Sequence, residues 1–257
     1  MTAFTILLRK ELVEAWRTRR LPVVAGLFAI VGMISPLTAR YLPEILKATL
    51  GDQLTVPVPP PTIVSALEQL QKNLGQIGAL SAIALAMGSV SGELDKGTAA
   101  LILAQPVTRR SFIAAKVAAI GIVLALCTTI AVAVAWLYAA ILFEPGPVSG
   151  WVVLAALDWL ALAAWGALTL LASTATGSTT AAAGLGFVSL IALSILAAIP
   201  AFDRYLPSGL AWPALRIASD TAPGLDWAVV ATAVAGTLVV IGGSVAGAVV
   251  AFRRREL

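Results

Sequence analysis

The sequence predicts an all-α membrane protein with six transmembrane helices, an N-terminal amphipathic helix lying in the interface, and short outer helices before the last span. Two observations carry that prediction. The chain has 257 residues, of which 60% are hydrophobic and 12% charged, with a mean hydropathy of +0.96. One soluble core of that size could not bury so much apolar surface. The 17 Lys and Arg residues also alternate around the apolar stretches. Twelve of them belong to one side: Arg9, Lys10, Arg17, Arg19, Arg20, Lys96, Arg109, Arg110, Lys116 and Arg253 to Arg255. The other five, Arg40, Lys47, Lys72, Arg204 and Arg216, sit in the intervening connections among acids such as Glu44, Asp52, Glu68, Asp203, Asp220 and Asp226. By the positive-inside bias the first set is expected in the cytoplasm, which puts both termini inside and makes the number of spans even.

The elements follow in order. In the first twenty residues Phe4, Leu7, Leu8, Leu12, Ala15 and Trp16 recur at helical spacing while Arg9, Lys10, Glu14 and Arg17 point elsewhere, which predicts an interfacial helix and no cleaved signal peptide. Glu11 falls inside the apolar arc and needs a partner; Arg109 or Arg110 is the expected one, against a reading in which it snorkels to the headgroups. Crossing a bilayer takes about 20 apolar residues. Six stretches qualify, from about Leu21 to Thr38, Leu74 to Ser91, Phe112 to Phe143, Val152 to Ala172, Ala181 to Ile199 and Trp227 to Phe252. The third is too long for one crossing, so its first turns, with Lys116, are expected to project into the cytoplasm. Trp136, Tyr138, Trp151 and Trp227 fit an outer aromatic belt.

Between the first two spans, Pro57 to Pro61 predicts a rigid extended segment, after which Ser65 and Glu68 resemble a capping box opening a helix. Ser173 to Thr180 reads as a short polar connection. Pro200 to Asp226 is too apolar for a free loop and too interrupted for a span, so short interfacial or re-entrant helices are expected there. Between the second and third spans, Gly97 permits a turn, Thr98 can cap a short helix carrying Leu101, Ile102 and Leu103, Pro106 ends it, and Thr108 can cap the third span.

Several function classes are excluded or weakened by composition. The chain has no His, which removes Ser-His and Cys-His nucleophilic sites and His-based zinc chemistry. The single Cys127 lies in an apolar stretch and makes neither a disulfide framework nor a metal site. The net charge of +4 follows from topology and does not indicate a nucleic-acid partner. No Gly-x-x-x-x-Gly-Lys-(Ser/Thr) run is present, so no phosphate-cradling loop is expected in this chain. An ion-coupled secondary transporter is the alternative, and Asp158, the one acid near a span, would be expected to face the interface. An intramembrane enzyme has neither His nor paired mid-span carboxylates to work with.

The run Glu93, Asp95, Gly97, Thr98, Ile102, Pro106, Val107, Thr108 and Arg109 resembles the hallmark of the ATP-binding-cassette type-2 permease family, a familiar form of which has Leu-rich text where Ala99 and Ala100 stand here. The start with Arg9, Lys10, Glu11 and Leu12, and the six-span plan, are similar to that family as well. The resemblance implies a single permease domain over residues 1–257. Within it, residues 1–20 would form a connecting helix carrying Arg9, Lys10 and Glu11. Residues 93–110 would form a coupling loop in which Glu93, Asp95, Gly97, Thr98, Leu101, Ile102, Pro106 and Arg109 meet a separate nucleotide-binding subunit. Residues 200–226 would form the outer helices. It further implies an exporter driven by ATP and Mg bound in that partner, with no cofactor in this chain, working beside a second permease copy, among lipid, in a prokaryotic inner membrane. For a substrate path, Ser81, Met87, Ser89, Thr180, Ser189 and Ser194 in spans two and five offer the available polar groups; each of them can also serve as an interhelical hydrogen bond.

Overall fold

The computed structural model describes residues 3–50, 60–105, 107–221 and 224–255, and over these the protein is all helix. The helix α1 (Ala3–Arg17) ends where Arg19 adopts a left-handed backbone, φ 59°, so the chain turns before α2 (Arg20–Leu50) enters the bundle. The second span is composite: α3 (Ile63–Asn73), a π-turn over Leu74–Gly78, and α4 (Ala79–Met87) run on into α5 (Ser91–Asp95). After α6 (Thr98–Leu103) come the long helices α7 (Arg109–Leu142), α8 (Val148–Thr176) and α9 (Thr179–Ala197). The short α10 (Pro200–Asp203), a 3-10 turn over Pro207–Leu210 and α11 (Ala211–Ala218) precede α12 (Trp227–Arg253). Six of these stretches are long and apolar enough to cross a membrane: Arg20–Ile45, Ile63–Asp95, Arg109–Leu142, Val148–Thr176, Thr179–Ala197 and Trp227–Arg253.

The central element is α8, which packs against α4, α7, α9, α11 and α12. The main core joins Phe28 of α2, Leu124 and Cys127 of α7, and Leu154 and Trp165 of α8. A second core lies at one end of the bundle, where Leu7 of α1 meets Val90, Phe112, Leu170 and Phe252. That end also carries the basic N- and C-terminal segments and the α5–α6 hairpin, and is called here the basic end.

Several elements depart from expectation. The helix of the first span, α2, does not stop at Thr38 but runs on to Leu50, with Pro36 and Pro43 within it. α3 packs alongside this extension, and Asn73 Nδ2 donates to Ser35 Oγ at 2.9 Å. The capping box is Thr62 with Ser65 in the third helical position, not Ser65 with Glu68; Thr62 is extended, as a cap requires. Pro57 to Pro59 and Pro106 lie outside the described residues. Thr98 does not cap α6 either. Gly97, at φ +67°, is the residue before the helix, and the Thr98 hydroxyl instead donates to the Glu93 carbonyl at 3.2 Å. Thr108 does cap α7, accepting from Ser111 N at 3.1 Å. Trp151 is buried, its indole donating to the Pro145 carbonyl at 2.6 Å, so it belongs to the core and not to a belt.

One close crossing is that of α2 on α7. A Cβ built on Gly32 would collide with the Ala131 carbonyl, whereas one on Gly26, in the same helix, meets nothing within 4 Å. Gly32→Ala is therefore expected to destabilise the protein by about 1–3 kcal/mol through overpacking. Gly26→Ala should be neutral, or stabilising by about 0.5–1 kcal/mol from helix propensity alone. Thermal unfolding of the two variants in the same detergent tests this; equal midpoints would sink the proposed close approach.

Candidate functional site

The strongest concentration of charge in the fold sits at the basic end, where α1, α5 and α7 converge. Lys116, two turns into α7 and only 2% exposed, places its ammonium 3.0 Å from Glu11 Oε1 and 3.1 Å from Glu93 Oε1. Lys10 makes the complementary bridge, pairing with Glu11 at 3.0 Å, with Glu14 at 3.3 Å and directly with Glu93. The Lys116 ammonium also lies 4.9 Å from the centre of the Phe112 ring, close enough for cation–π attraction. Burial pulls the Lys10 ammonium toward neutrality; the hydrogen bond to Glu93 and the charges of Glu11 and Glu93 outweigh it and hold the group above its ordinary value. Among the described residues, Glu93 Oε2 is a buried oxygen with no donor.

This geometry adds to one expectation and corrects another. Lys116, in the first turns of α7, is covered by protein: its long stem is buried and its charge is held by two carboxylates. Glu11 is paired with Lys116 and Lys10, not with Arg109 or Arg110. The Arg109 guanidinium has another task, its Nη1 lying 2.8–3.0 Å from the carbonyls of Phe252, Arg253 and Arg255 while the group stacks over Phe252 at 6.0 Å. A cation there satisfies the last carbonyls of α12 and opposes its dipole. Phe252 in turn stacks on Phe112 at 5.0 Å. Arg255 does the same for α8, donating to the Ala175 carbonyl at 2.9 Å.

The carboxylates of Glu11, Glu14 and Glu93 approach within 4.8 Å of one another. The Lys10 ammonium contacts all three, so a protein cation already stands where a metal would. Arg9 points outward and is exposed.

The α5–α6 hairpin is fastened from behind. Ser173 Oγ of α8 accepts from the Val90 and Ser91 amides at 3.4 and 3.1 Å, and Ser91 Oγ lies 2.9 Å from Thr179 Oγ1. From this base α6 turns Ala99 inward, leaves Ile102 half-buried and holds Leu101 out, 71% exposed. Asp95, Lys96 and Gly97 are exposed beside it. A cavity of about 710 Å³ opens between hairpin and α1, walled by Lys10, Glu93, Lys96, Leu101, Lys116 and Arg20. α1 itself presents apolar side chains on two sides: Leu7 is buried, and Ile6 and Trp16 are 57% and 64% exposed, as suits a helix between a protein face and lipid.

The polar residues suggested for a path are not brought together. Ser81, Ser89, Ser189 and Ser194 each donate to a carbonyl of their own helical segment at 2.7 Å. Met87 is half-buried beside Arg19 and Arg20, and Thr180 is exposed. Asp158 is not at the interface. It is 5% exposed inside α8 and receives one hydrogen bond, from Gln71 Nε2 at 3.4 Å.

Two comparisons with known proteins bear on the site. A family model described as ABC-2 family transporter protein matches residues 5–257. The transmembrane protein YxlG of Bacillus subtilis (strain 168), described as uncharacterized, is 29% identical over 146 residues, covering 56% of this chain and 57% of that protein. The matched region therefore spans a little over half the length of that relative.

Lys116→Met removes the buried cation between the buried Glu93 and the half-buried Glu11 and is expected to cost about 3–5 kcal/mol. Adding Glu93→Gln should return part of the loss, because the uncompensated charge goes with it. Thermal unfolding of parent, single and double variants in detergent is the measurement; a Lys116→Met protein as stable as the parent would show that the cluster holds nothing together.

Proposed function

The chain belongs to the ABC-2 transporter family, and from that premise we propose that it is the permease subunit of an ATP-driven exporter. In this reading the chain itself binds no nucleotide, and ATP with Mg is hydrolysed by a separate cytosolic subunit. The basic end faces the cytoplasm of a prokaryotic inner membrane, with both termini inside. α1 is the connecting helix, the α5–α6 hairpin is the coupling element, and a second copy of the chain completes the translocation path. Transport then proceeds by alternating access, closure of the ATPase pair moving the hairpin and the helices behind it.

The observation that carries this reading is the fastening of the hairpin. An exposed Leu101, 71% accessible, stands on a short helix whose base is tied to α1 and α7 by ions and to α8 and α9 by hydroxyls. An apolar side chain held out of the fold on a rigid base suits contact with another protein, and a push on it reaches four helices. Asp95, Gly97, Thr98, Ile102 and Pro106 would line the same contact. Glu93 and Arg109 would support it from behind, since one is buried in the cluster and the other caps α12. The ion-coupled alternative draws on one observation, the buried Asp158, and leaves the fastened hairpin without a purpose.

Leu101→Asp should leave the melting temperature unchanged, as for an exposed position within about 0.5 kcal/mol, while abolishing co-purification of an ATPase subunit and ATP-dependent transport. A variant that keeps both would remove the hairpin from the coupling path. Orientation has its own check, with single cysteines replacing Pro60 or Lys96, both exposed, in a Cys127→Ala background. An impermeant thiol reagent on intact cells should label the first and reach the second only after permeabilisation; the reverse order would overturn the proposed sidedness.

A further inference from the structure

We propose that Asp158 anchors a binding site for a small organic ammonium ion, in the cavity at the end of the bundle away from the charge cluster. This inference stands on the cavity alone and is independent of how transport is driven. Asp158 lies ten residues into α8, roughly 15 Å along it at about 1.5 Å per residue, and its side chain is 95% buried by the 5% exposure of the residue. Among the described residues no cation lies within ion-pair distance of it. An ionisable side chain inside a transmembrane helix is expensive unless paired, so one held by a single amide and no counter-charge points to a site that a cation completes.

The surroundings say which ligand completes it. Asp158 lines a cavity of about 310 Å³ between the second span, α8, α9 and the segment 207–211, at the small end of the range of about 300–1,000 Å³ usual for ligand pockets. Gln71 donates its one observed hydrogen bond to Asp158 Oδ2, which leaves its amide oxygen as an acceptor. Ser194 and Ser208, on the same walls, use their hydroxyl protons on the Leu190 carbonyl and on Asp203 Oδ1. Together with Asp158 and the amide of Gln76, these oxygens offer acceptors and one negative charge, which suits a ligand with several N–H donors and a positive charge. The remaining walls include Leu162 and Trp165, where a hydrocarbon or aromatic body can rest. Lys72 is the other charged group on these walls; it is exposed and forms no ion pair with Asp158, so it stands as a competitor for the carboxylate at the cavity mouth.

The test uses the full chain in lipid nanodiscs, with phenethylammonium chloride as probe and 2-phenylethanol as its uncharged counterpart, followed by calorimetry against empty nanodiscs. Saturable binding of the ammonium is expected, with no saturable binding of the alcohol. Asp158→Asn should weaken the ammonium by about tenfold or more, as for loss of a desolvated charge pair, and Lys72→Gln should leave it unchanged or tighten it. No saturable binding, equal binding of the alcohol, or an Asp158→Asn protein that binds like the parent would each overturn the proposal. The last outcome would mean that Asp158 is held as a neutral acid, for which Asn is a fair substitute. Should Asp158→Asn fail to fold, the comparison of ammonium with alcohol on the parent protein decides alone.

Discussion

Everything at the basic end depends on one constraint: Lys116 cannot be buried without two carboxylates, and neither carboxylate belongs to its own helix. Glu11 comes from α1, a whole span and more away in the chain, and Glu93 from α5, which reaches α7 only through α6. Taking an ammonium out of water costs several kcal/mol after relaxation, and only close, well-placed partners recover it. The pairing therefore fixes where α1 lies and how α5 leaves the bundle. Lys10 repeats the link from the other side, with the result that two cations bind the same pair of acids. Among the described residues Glu93 Oε2 is left without a donor in that arrangement, and such buried oxygens are rare in folded proteins.

The helix ends around the cluster are managed with equal economy. α12 and α8 both finish at this end, and each would leave carbonyls without donors. Arg109 at the start of α7 supplies α12, and Arg255 near the end of the chain supplies α8. Both arginines would count, in a reading by charge alone, simply as basic residues on one side of a membrane. In the fold they are also the bonds that hold the last helix to the third and fourth spans, so topology and capping draw on the same residues.

The spans were legible because a bilayer leaves the backbone few alternatives: about 20 apolar residues in helix is the common solution, and it imprints on composition directly. Boundaries were less so. The first span was expected to end near Thr38, yet α2 continues past Pro43 with α3 packed alongside it. The caps shifted by three residues at Thr62 and by one at Gly97, because several polar residues in a row can each serve and packing chooses among them. For the site, the need of Glu11 for a partner was readable from helical phase, but not which partner. Arg109 and Lys116 are a mere seven residues apart on one helix, and their phase relative to α1 is a tertiary fact. The burial of Asp158 was hidden for the same reason: its depth along α8 was visible, the facing of Gln71 was not.

A helix passes a displacement between two places when each of them is fastened to it and the stretch between is packed stiffly. At the basic end Ser173 of α8 holds the amides that open α5, and Arg255 closes its last turn. At the other end α8 packs on α11, and Trp151 is pinned to the Pro145 carbonyl. Between them the helix is packed on several sides by α4, α7, α9 and α12, and close-packed interiors shift as units instead of deforming smoothly. In the proposed transporter α8 is thus the member through which a push on the hairpin would arrive beside Asp158. The physical warrant for coupling between two sites is an element that both of them bias, and α8 is the helix on which both the hairpin's fastening and the buried carboxylate are built.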